Sequence, residues 1–336
     1  MPKRLAVLLV SVALGGCLAD TAARGGPEVR ARQLDLGAMP DEMGALALES
    51  ALVLSSDDDD FGGLSGLWLS PEGDRLIAAS DRGSLWKAAP IHDQEDRLIG
   101  TAAWRSVMPR LAPADPAHET DAESLDDDGA GGLVIAYEGL HRLHRLPLDD
   151  LDAEPVVLPA PTIPPEADND GIEALAALPD GALLALSEGV TNADGDLAAW
   201  LVRGDRIEEL GYVRTGEFAP TGADRLDDVL FVLERQFSWL GGFVSRIVAL
   251  PVDEAVSGAR LHGIELARFQ RAPVGDNFEG LAARRAADGR ILLYLVSDDN
   301  FFPLQQTLLV QLSIDPAELG RRLGQRISAS HERPEG

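Results

Sequence analysis

The sequence predicts an all-β chain folded as a β-propeller of five, or at most six, four-stranded blades, and three observations predict it. The first is an internal repeat. "LSGLWLSPEGDRLIAASDRG" from Leu64, "AESLDDDGAGGLVIAYEGL" from Ala122, "IEALAALPDGALLALSEG" from Ile172, "ADRLDDVLFVLERQFS" from Ala223 and "FEGLAARRAADGRILLYLVSDDN" from Phe278 share one grammar. Each runs polar residue, small or variable residue, leucine, turn, apolar run, carboxylate. The aligned polar positions Ser65, Glu123, Glu173, Asp224 and Glu279 are 58, 50, 51 and 55 residues apart by subtraction, a period that suits one four-stranded blade each. The second observation is period-two alternation broken by Pro-Asp-Gly and Asp-Gly turns, the pattern of antiparallel strands. The third is that no long stretch carries a helical period, apart from a weak one between Asp315 and Arg326.

The elements follow in order. "MPKR" is a basic leader and "LAVLLVSVAL" an apolar run too short to span a bilayer, so residues 1–16 read as a signal peptide ending at Cys17. "LGGC" is similar to the lipobox of bacterial lipoproteins, which implies acylation at Cys17, and Leu18 after it implies placement in the outer membrane, facing the periplasm. The only cysteine of the chain stands at this site, so it can form no internal disulfide. Residues 17–42 read as a lipidated polar tether, 43–316 as the propeller and 317–336 as a tail. Because a propeller must close, "GALALESALVLSS" (44–56) is expected to lend an outer strand to the last blade. Further strands follow in every unit: "GSLWKAAPI", "HRLHRLPLD", "AAWLVRGD", "SRIVALPVD" and "TLLVQLSID", then runs such as "EPVVLPAP", "IEELGYV" and "GIELARFQ". A sixth blade would have to lie in "LIGTAAWRSVMPRLAPADPAH".

The net charge of −27 excludes nucleic acid and anionic membrane surfaces as partners, since both need a basic footprint. Contact with a membrane is expected through the N-terminal lipid alone.

The carboxylates carry the chemistry. The innermost strand of each blade lines the channel, so equivalent repeat positions form rings around the axis. One ring is expected to hold Ser65, Glu123, Glu173, Asp224 and Glu279, and a second Asp81, Glu138, Glu188, Glu234 and Asp298. Like charges packed together are unfavourable, so a cation belongs among them. Dense carboxylate oxygens suit Ca²⁺, and the His and Cys ligands of Zn²⁺ are lacking. The metal-ligand set is then Glu123, Glu138, Glu173, Glu188, Asp224, Glu234, Glu279 and Asp298. The other reading has each carboxylate cap its own blade, through backbone N–H groups or Arg82 and Arg235, and the two roles can coexist.

Other motifs are weaker. "GGLSGL" around Ser65 is not a nucleophile elbow, because Leu67 holds the last glycine position. "HRLH" (His141, His144) reads as a solvated blade face, and Asp57 to Asp60 and Asp126 to Asp128 as solvated turns. "DNDGIE" and "TNADGDL" resemble calcium-loop fragments, but Pro179 and Arg203 stand where an EF-hand needs glutamate. "FSWLGGF" (Phe237–Phe243) and "NFFPL" (Asn300–Leu304) are expected to rim the funnel as a substrate or partner wall.

The series "GLSGL…SDRG", "DAESL…YEG", "DGIEAL…LSEG", "LERQFS" and "NFEGL…SDDNF" resembles the phytase-like esterase family, over roughly Leu64 to Leu312. The resemblance implies a propeller and hydrolysis of an ester or phosphate ester, and no catalytic residue carries over from it. Read from the residues, Glu123, Glu173 and Glu279 are the candidates for catalysis, with Arg82, Arg235 and Asn300 as candidates for substrate binding. The chain has two lysines, Lys3 and Lys87, which speaks against a polyanion and for a small ester, lactone or monophosphate. The alternative is a non-catalytic envelope scaffold that binds a protein or glycan and holds a structural cation.

Overall fold

A computed structural model describes residues 28–36, 42–110, 121–164, 171–270 and 276–331. Cys17 and the signal peptide lie outside them. The described residues form five sheets, the five blades of a propeller, antiparallel except where the short strand Arg260–Leu261 pairs parallel with Gly211 and Tyr212. Blade 1 is Leu64–Leu69, Leu76–Ser80, Leu85–His92 and Leu98–Val107. Blade 2 is Ala122–Asp127, Gly132–Tyr137, Arg142–Pro147 and Val156–Leu158, and blade 3 is Ile172–Ala177, Leu183–Thr191, Leu197–Arg203 and Arg206–Tyr212. Blade 4 is Ala219–Leu226, Val229–Ser238, Gly242–Pro251 and Ile264–Phe269. Blade 5 is Phe278–Arg285, Ile291–Ser297 and Thr307–Ile314, completed by Leu46–Ser56 and Val29–Gln33. Of the segment that could have held a sixth blade (98–118), Leu98–Val107 supplies the outer strand of blade 1, and 111–118 lie outside the described residues.

The closing strand behaves as expected. Leu46–Ser56 pairs antiparallel with Thr307–Ile314, from Thr307 opposite Leu54 to Ser313 opposite Ala47. Val29–Gln33 then pairs with Leu46–Ser56, Val29 lying opposite Ser56. Part of the stretch read as tether is therefore an edge strand of blade 5. Residues 316–331 form a helix whose Leu319 and Leu323 cover the core between blades 4 and 5, so the first turns of the tail are docked.

The innermost strands set the geometry of the channel. Each starts at one end of the channel, called here the upper end, and carries a β-bulge near its start: between Ala122 and Ser124, Ile172 and Ala174, Pro220 and Gly222, and Phe278 and Gly280, with a similar irregularity between Leu64 and Leu67. A bulge turns its extra residue out of the ladder, and here that residue is Glu123, Glu173, Thr221, Glu279 and, in blade 1, Ser65. A small residue follows every one of them: Gly66, Ser124, Ala174, Gly222 and Gly280. The reason is crowding between neighbouring inner strands. A Cβ on Gly66 would lie 3.0 Å from the Leu125 backbone nitrogen, and one on Gly222 would collide with the Glu279 carbonyl oxygen. Apolar faces of adjacent blades then interdigitate in five buried clusters, one at each seam of the ring.

Candidate functional site

The pairing registers correct blade 4 in both expected rings. In blades 2, 3 and 5 the bulge residue is a glutamate, but in blade 4 it is Thr221, and Asp224 lies three residues further down the strand. The second ring is the residue after the partner of the pre-bulge position: Asp81, Glu138, Glu188 and Asp298 in blades 1, 2, 3 and 5. In blade 4 Pro220 pairs with Glu234, so Arg235 occupies that place. The ring at the channel mouth is thus acidic, with Arg235 at the position of blade 4.

Glu234 and Asp224 have other work. Glu234 accepts from the Tyr212 hydroxyl at 2.6 Å and pairs with Arg246 inside blade 4. Asp224 sits at the depth of Asp126, and the two form a lower pair. Asp224 accepts from the Ala283 N–H at 2.6 Å, and Asp126 from the Ala177 N–H at 2.7 Å, each clasping the next blade. Burial, with the charge of Asp224, pushes the Asp126 carboxyl well up; burial pushes Asp224 to about 7. Asp126 is therefore a buried clasp and not a solvated turn. His141 and His144 are also buried, His141 in the turn before the third strand of blade 2 and His144 on that strand, where its ring packs 5.1 Å from that of Tyr137. The "TNADGDL" turn is tied by its own residues: Asn192 accepts from the N–H groups of Asp194 and Asp196, and Asp196 pairs with Arg260.

Arg235 divides the mouth into two halves. On the side of blades 3 to 5 it donates to Glu188 at 3.0 Å and to Asn277 at 2.6 Å, and pairs closely with Glu279. The Asn277 amide donates at 3.0 Å to both Glu279 and Asp298. The Asn300 N–H donates to Asp298 at 2.5 Å, and the left-handed backbone of Asn300 (φ 49°) aims it there. Burial lifts Glu279 to about 7 against the pull of Arg235, and lifts Asp298 to about 6 against its bond from Asn300.

Among the described residues, no arginine pairs with the carboxylates of the half formed by blades 1 and 2 as Arg235 does. Asp81, Asp121 and Glu123 each place a carboxylate oxygen within 4.8 Å of the others. Oδ1 of Asp81 and Oδ1 of Asp121 are buried with no hydrogen-bond partner among the described residues. Burial, joined by the charges of Asp298, Glu279 and Asp121, pushes Asp81 up to about 9. Burial and the charge of Glu173 push Glu123 well above the carboxylate range, and Asp121 rises through burial although it shares a hydrogen bond with Glu123. Glu173, beside this half, is raised by burial and by Glu188 and Glu138; Glu138 is raised by burial to about 7 and shares a hydrogen bond with Glu173. A hydrogen bond between two carboxyl groups needs a proton. A cation placed there can take over the proton's role.

Arg82 turns away to the rim, where it donates to the Asp59 carbonyl at 2.5 Å and lies 3.6 Å from the centre of the Phe301 ring. Asn300 and Arg235 instead line one pocket of about 610 Å³ with Asn277, Arg214, Phe237 and Phe243, beside the funnel. Asp121, Asn277 and Thr221 escaped the sequence reading. Asp121 stands two residues before Glu123, where it was available to the eye; Asn277 and Thr221 carry no signal without strand register.

Solved structures of similar fold are distant. A Xanthomonas campestris gluconolactonase aligns at 14% identity and a TM-score of 0.42, over 84% of this chain and 90% of its own. The GH43B protein of a Bacteroides ovatus xyloglucan PUL aligns at 11% identity and a TM-score of 0.44, over 78% of this chain and 54% of its own. A search of curated protein sequences finds no match. The family comparison is decisive by coverage: the phytase-like model matches residues 59–301, 243 of 336 residues, from the loop before blade 1 to the upper loop of blade 5. The repeat grammar, the five blades and that match together place the chain in the phytase-like family, described by the esterase-like activity of phytase.

Proposed function

We propose that the chain is a metal-dependent hydrolase of a small ester or phosphate ester, acting at the upper mouth of the channel. The observation that carries this reading is the cluster Asp81, Asp121 and Glu123, in which Oδ1 of Asp81 and Oδ1 of Asp121 are buried with no hydrogen-bond partner among the described residues, while Arg235 pairs with the opposite half of the mouth. Donors of this kind are all hard oxygens, so Ca²⁺ is the expected ion, held by Asp81, Asp121 and Glu123. When bound, such an ion polarises the ester oxygen and lowers the pKa of a coordinated water.

The chain's own residues supply the rest. Glu173 lies between the cluster and Arg235, and its carboxylate receives the proton of the attacking water. Burial favours the protonated form of Glu173, while Arg235 favours the ionised one. Glu138 shares a hydrogen bond with Glu173, which orients its carboxyl and gives the proton a second seat. The pocket wall of Phe237 and Phe243 excludes water from one side, and Asn300 and Arg214 offer donors to the acid part of the ester. Lys87 lies in a different groove, on blade 1, so among the described residues the mouth has no lysine to offer a polyphosphate.

The second reading is an envelope scaffold with a structural ion, favoured by one observation: Arg235 already ties three blades together as a purely structural cation would. Hydrolysis of p-nitrophenyl acetate and p-nitrophenyl phosphate, with calcium and with EDTA, separates the two. A calcium-dependent rate that Glu123→Gln and Glu173→Gln abolish supports the hydrolase. No rate above buffer on either substrate leaves the scaffold. We also infer that Cys17 is acylated and that the propeller is held at the outer membrane, facing the periplasm, on the strength of the "LGGC" sequence.

A further inference from the structure

We infer that the upper face of the propeller docks onto a bilayer of zwitterionic lipid, with the Trp239–Leu240 hairpin tip and the Phe302–Leu304 loop entering the interface. This adds a second membrane contact to the N-terminal lipid, and it rests on the acylation of Cys17. Among the described residues, the three most exposed large apolar side chains are Leu240 at 104%, Trp239 at 94% and Leu304 at 84%. All three lie in connections between second and third strands, on the same side as the channel mouth, in the neighbouring blades 4 and 5. Three isolated side chains would be ordinary surface, but three at the tips of adjacent loops form one edge.

The hairpin is braced for such a use. The Ser238 hydroxyl accepts from the Gly241 N–H at 3.0 Å, and Phe237 packs against Trp239 at 5.6 Å and against Phe243 at 4.9 Å between ring centres. A stiff aromatic base thus presents Trp and Leu outward. Tryptophan with aliphatic neighbours is the combination that settles at the lipid headgroup level.

The path of the chain selects a bilayer over another protein. Val29 lies opposite Ser56, at the upper end of blade 5, so the chain reaches the fold on the face that carries these tips. From Cys17 to Glu28 is 11 residues by subtraction, a reach of at most about 40 Å even when fully extended. An acyl chain at Cys17 therefore holds this face close to the membrane. The net charge of −27 opposes anionic lipid and leaves zwitterionic lipid as the partner.

Tryptophan emission tests this directly, because Trp68, Trp86, Trp104 and Trp200 are buried and Trp239 is not. The full-length chain is reconstituted into phosphatidylcholine vesicles with and without bromine in the acyl chains, and acylation is read separately by the mass of the N-terminal peptide and by flotation. Bromolipid is expected to quench about a fifth of the emission, the share of one tryptophan in five. Trp239→Phe should abolish that component, and Leu240→Ser with Leu304→Ser should remove most of it with Trp239 in place. Quenching in a chain that is not acylated upholds docking and refutes the anchor. An acylated chain that floats while Trp239 stays open to aqueous acrylamide and untouched by bromolipid overturns docking alone. Protection of Trp239 that rises with protein concentration in the absence of lipid overturns it in favour of a second copy.

Discussion

Arg235 of blade 4 and Glu188 of blade 3 meet across the channel mouth, Nη2 donating to Oε1 at 3.0 Å. Blades 1, 2, 3 and 5 place carboxylates at the position where blade 4 places this guanidinium. The mouth of the funnel is therefore half neutralised by the protein itself, and the predictions below turn on that asymmetry.

Removing Arg235 should expose the whole ring to its own repulsion. Arg235→Gln leaves the buried Glu279 and the half-buried Glu188 without a cation, and breaking a buried pair by deleting one partner costs about 3–5 kcal/mol. Denaturant unfolding in EDTA measures the loss. Calcium should restore a larger part of the stability in this variant than it adds to the parent.

The two halves should respond differently to neutralisation. Calcium is expected to stabilise the parent by about 2.7 kcal/mol at a hundredfold excess over Kd. Glu123→Gln should remove most of that increment and cost little in EDTA, since it relieves repulsion in a cluster with no arginine. Glu279→Gln should destabilise equally in both buffers, by roughly 1.5–3 kcal/mol, because it loses bonds to Arg235 and Asn277 that need no ion. Melting curves of the three proteins with and without calcium check this, and a parent whose melting ignores calcium removes the metal site.

Stability in metal-free buffer should fall as pH rises. Burial lifts Asp81 to about 9, Glu138 and Glu279 to about 7 and Asp298 to about 6, whereas the unfolded chain titrates these groups near pH 4. Between about pH 4 and each folded value the native state therefore holds the extra proton, and raising the pH through that window withdraws stability. Unfolding midpoints in EDTA should be higher near pH 5 than near pH 9, and calcium should flatten the slope by favouring the charged forms.

The lower pair should behave as a mechanical clasp. Asp224→Ala strands the Ala283 N–H in the channel wall and should cost about 1–3 kcal/mol, the penalty of an unmet buried donor. Adding calcium should leave that cost unchanged, which separates Asp224 from the ring at the mouth.

Blade count, closing strand and the acidic character of the funnel could be read from the residues because they depend on period and polarity alone. The register of blade 4 could not. "ADRL" imitates "AESL" closely enough to draw Asp224 into line with Glu123, while the true counterpart Thr221 has no charge to draw attention. Spacing inside the blades held a warning. The expected ring pairs are separated by 16, 15, 15, 10 and 19 residues from blade 1 to blade 5, and Thr221 to Arg235 restores 14 for blade 4. The following residue held another, since Gly66, Ser124, Ala174, Gly222 and Gly280 are all small and Arg225 is not. Asp121, by contrast, lies outside the repeat grammar, and its role appears only when the bulge brings its carboxyl against Glu123.

The strand Leu46–Ser56 has a bearing on how the molecule is made. Its partner, Thr307–Ile314, is synthesised more than 250 residues later, so the ring cannot shut until almost the whole chain has emerged. Contacts this distant in sequence form slowly, and until they do an eleven-residue apolar strand waits with an open edge. A chain cut short before Thr307 keeps that edge permanently. Closure thus acts as a proofreading step on the length of the polypeptide: completed molecules hide the strand, and unfinished ones display a sticky ribbon to chaperones and proteases.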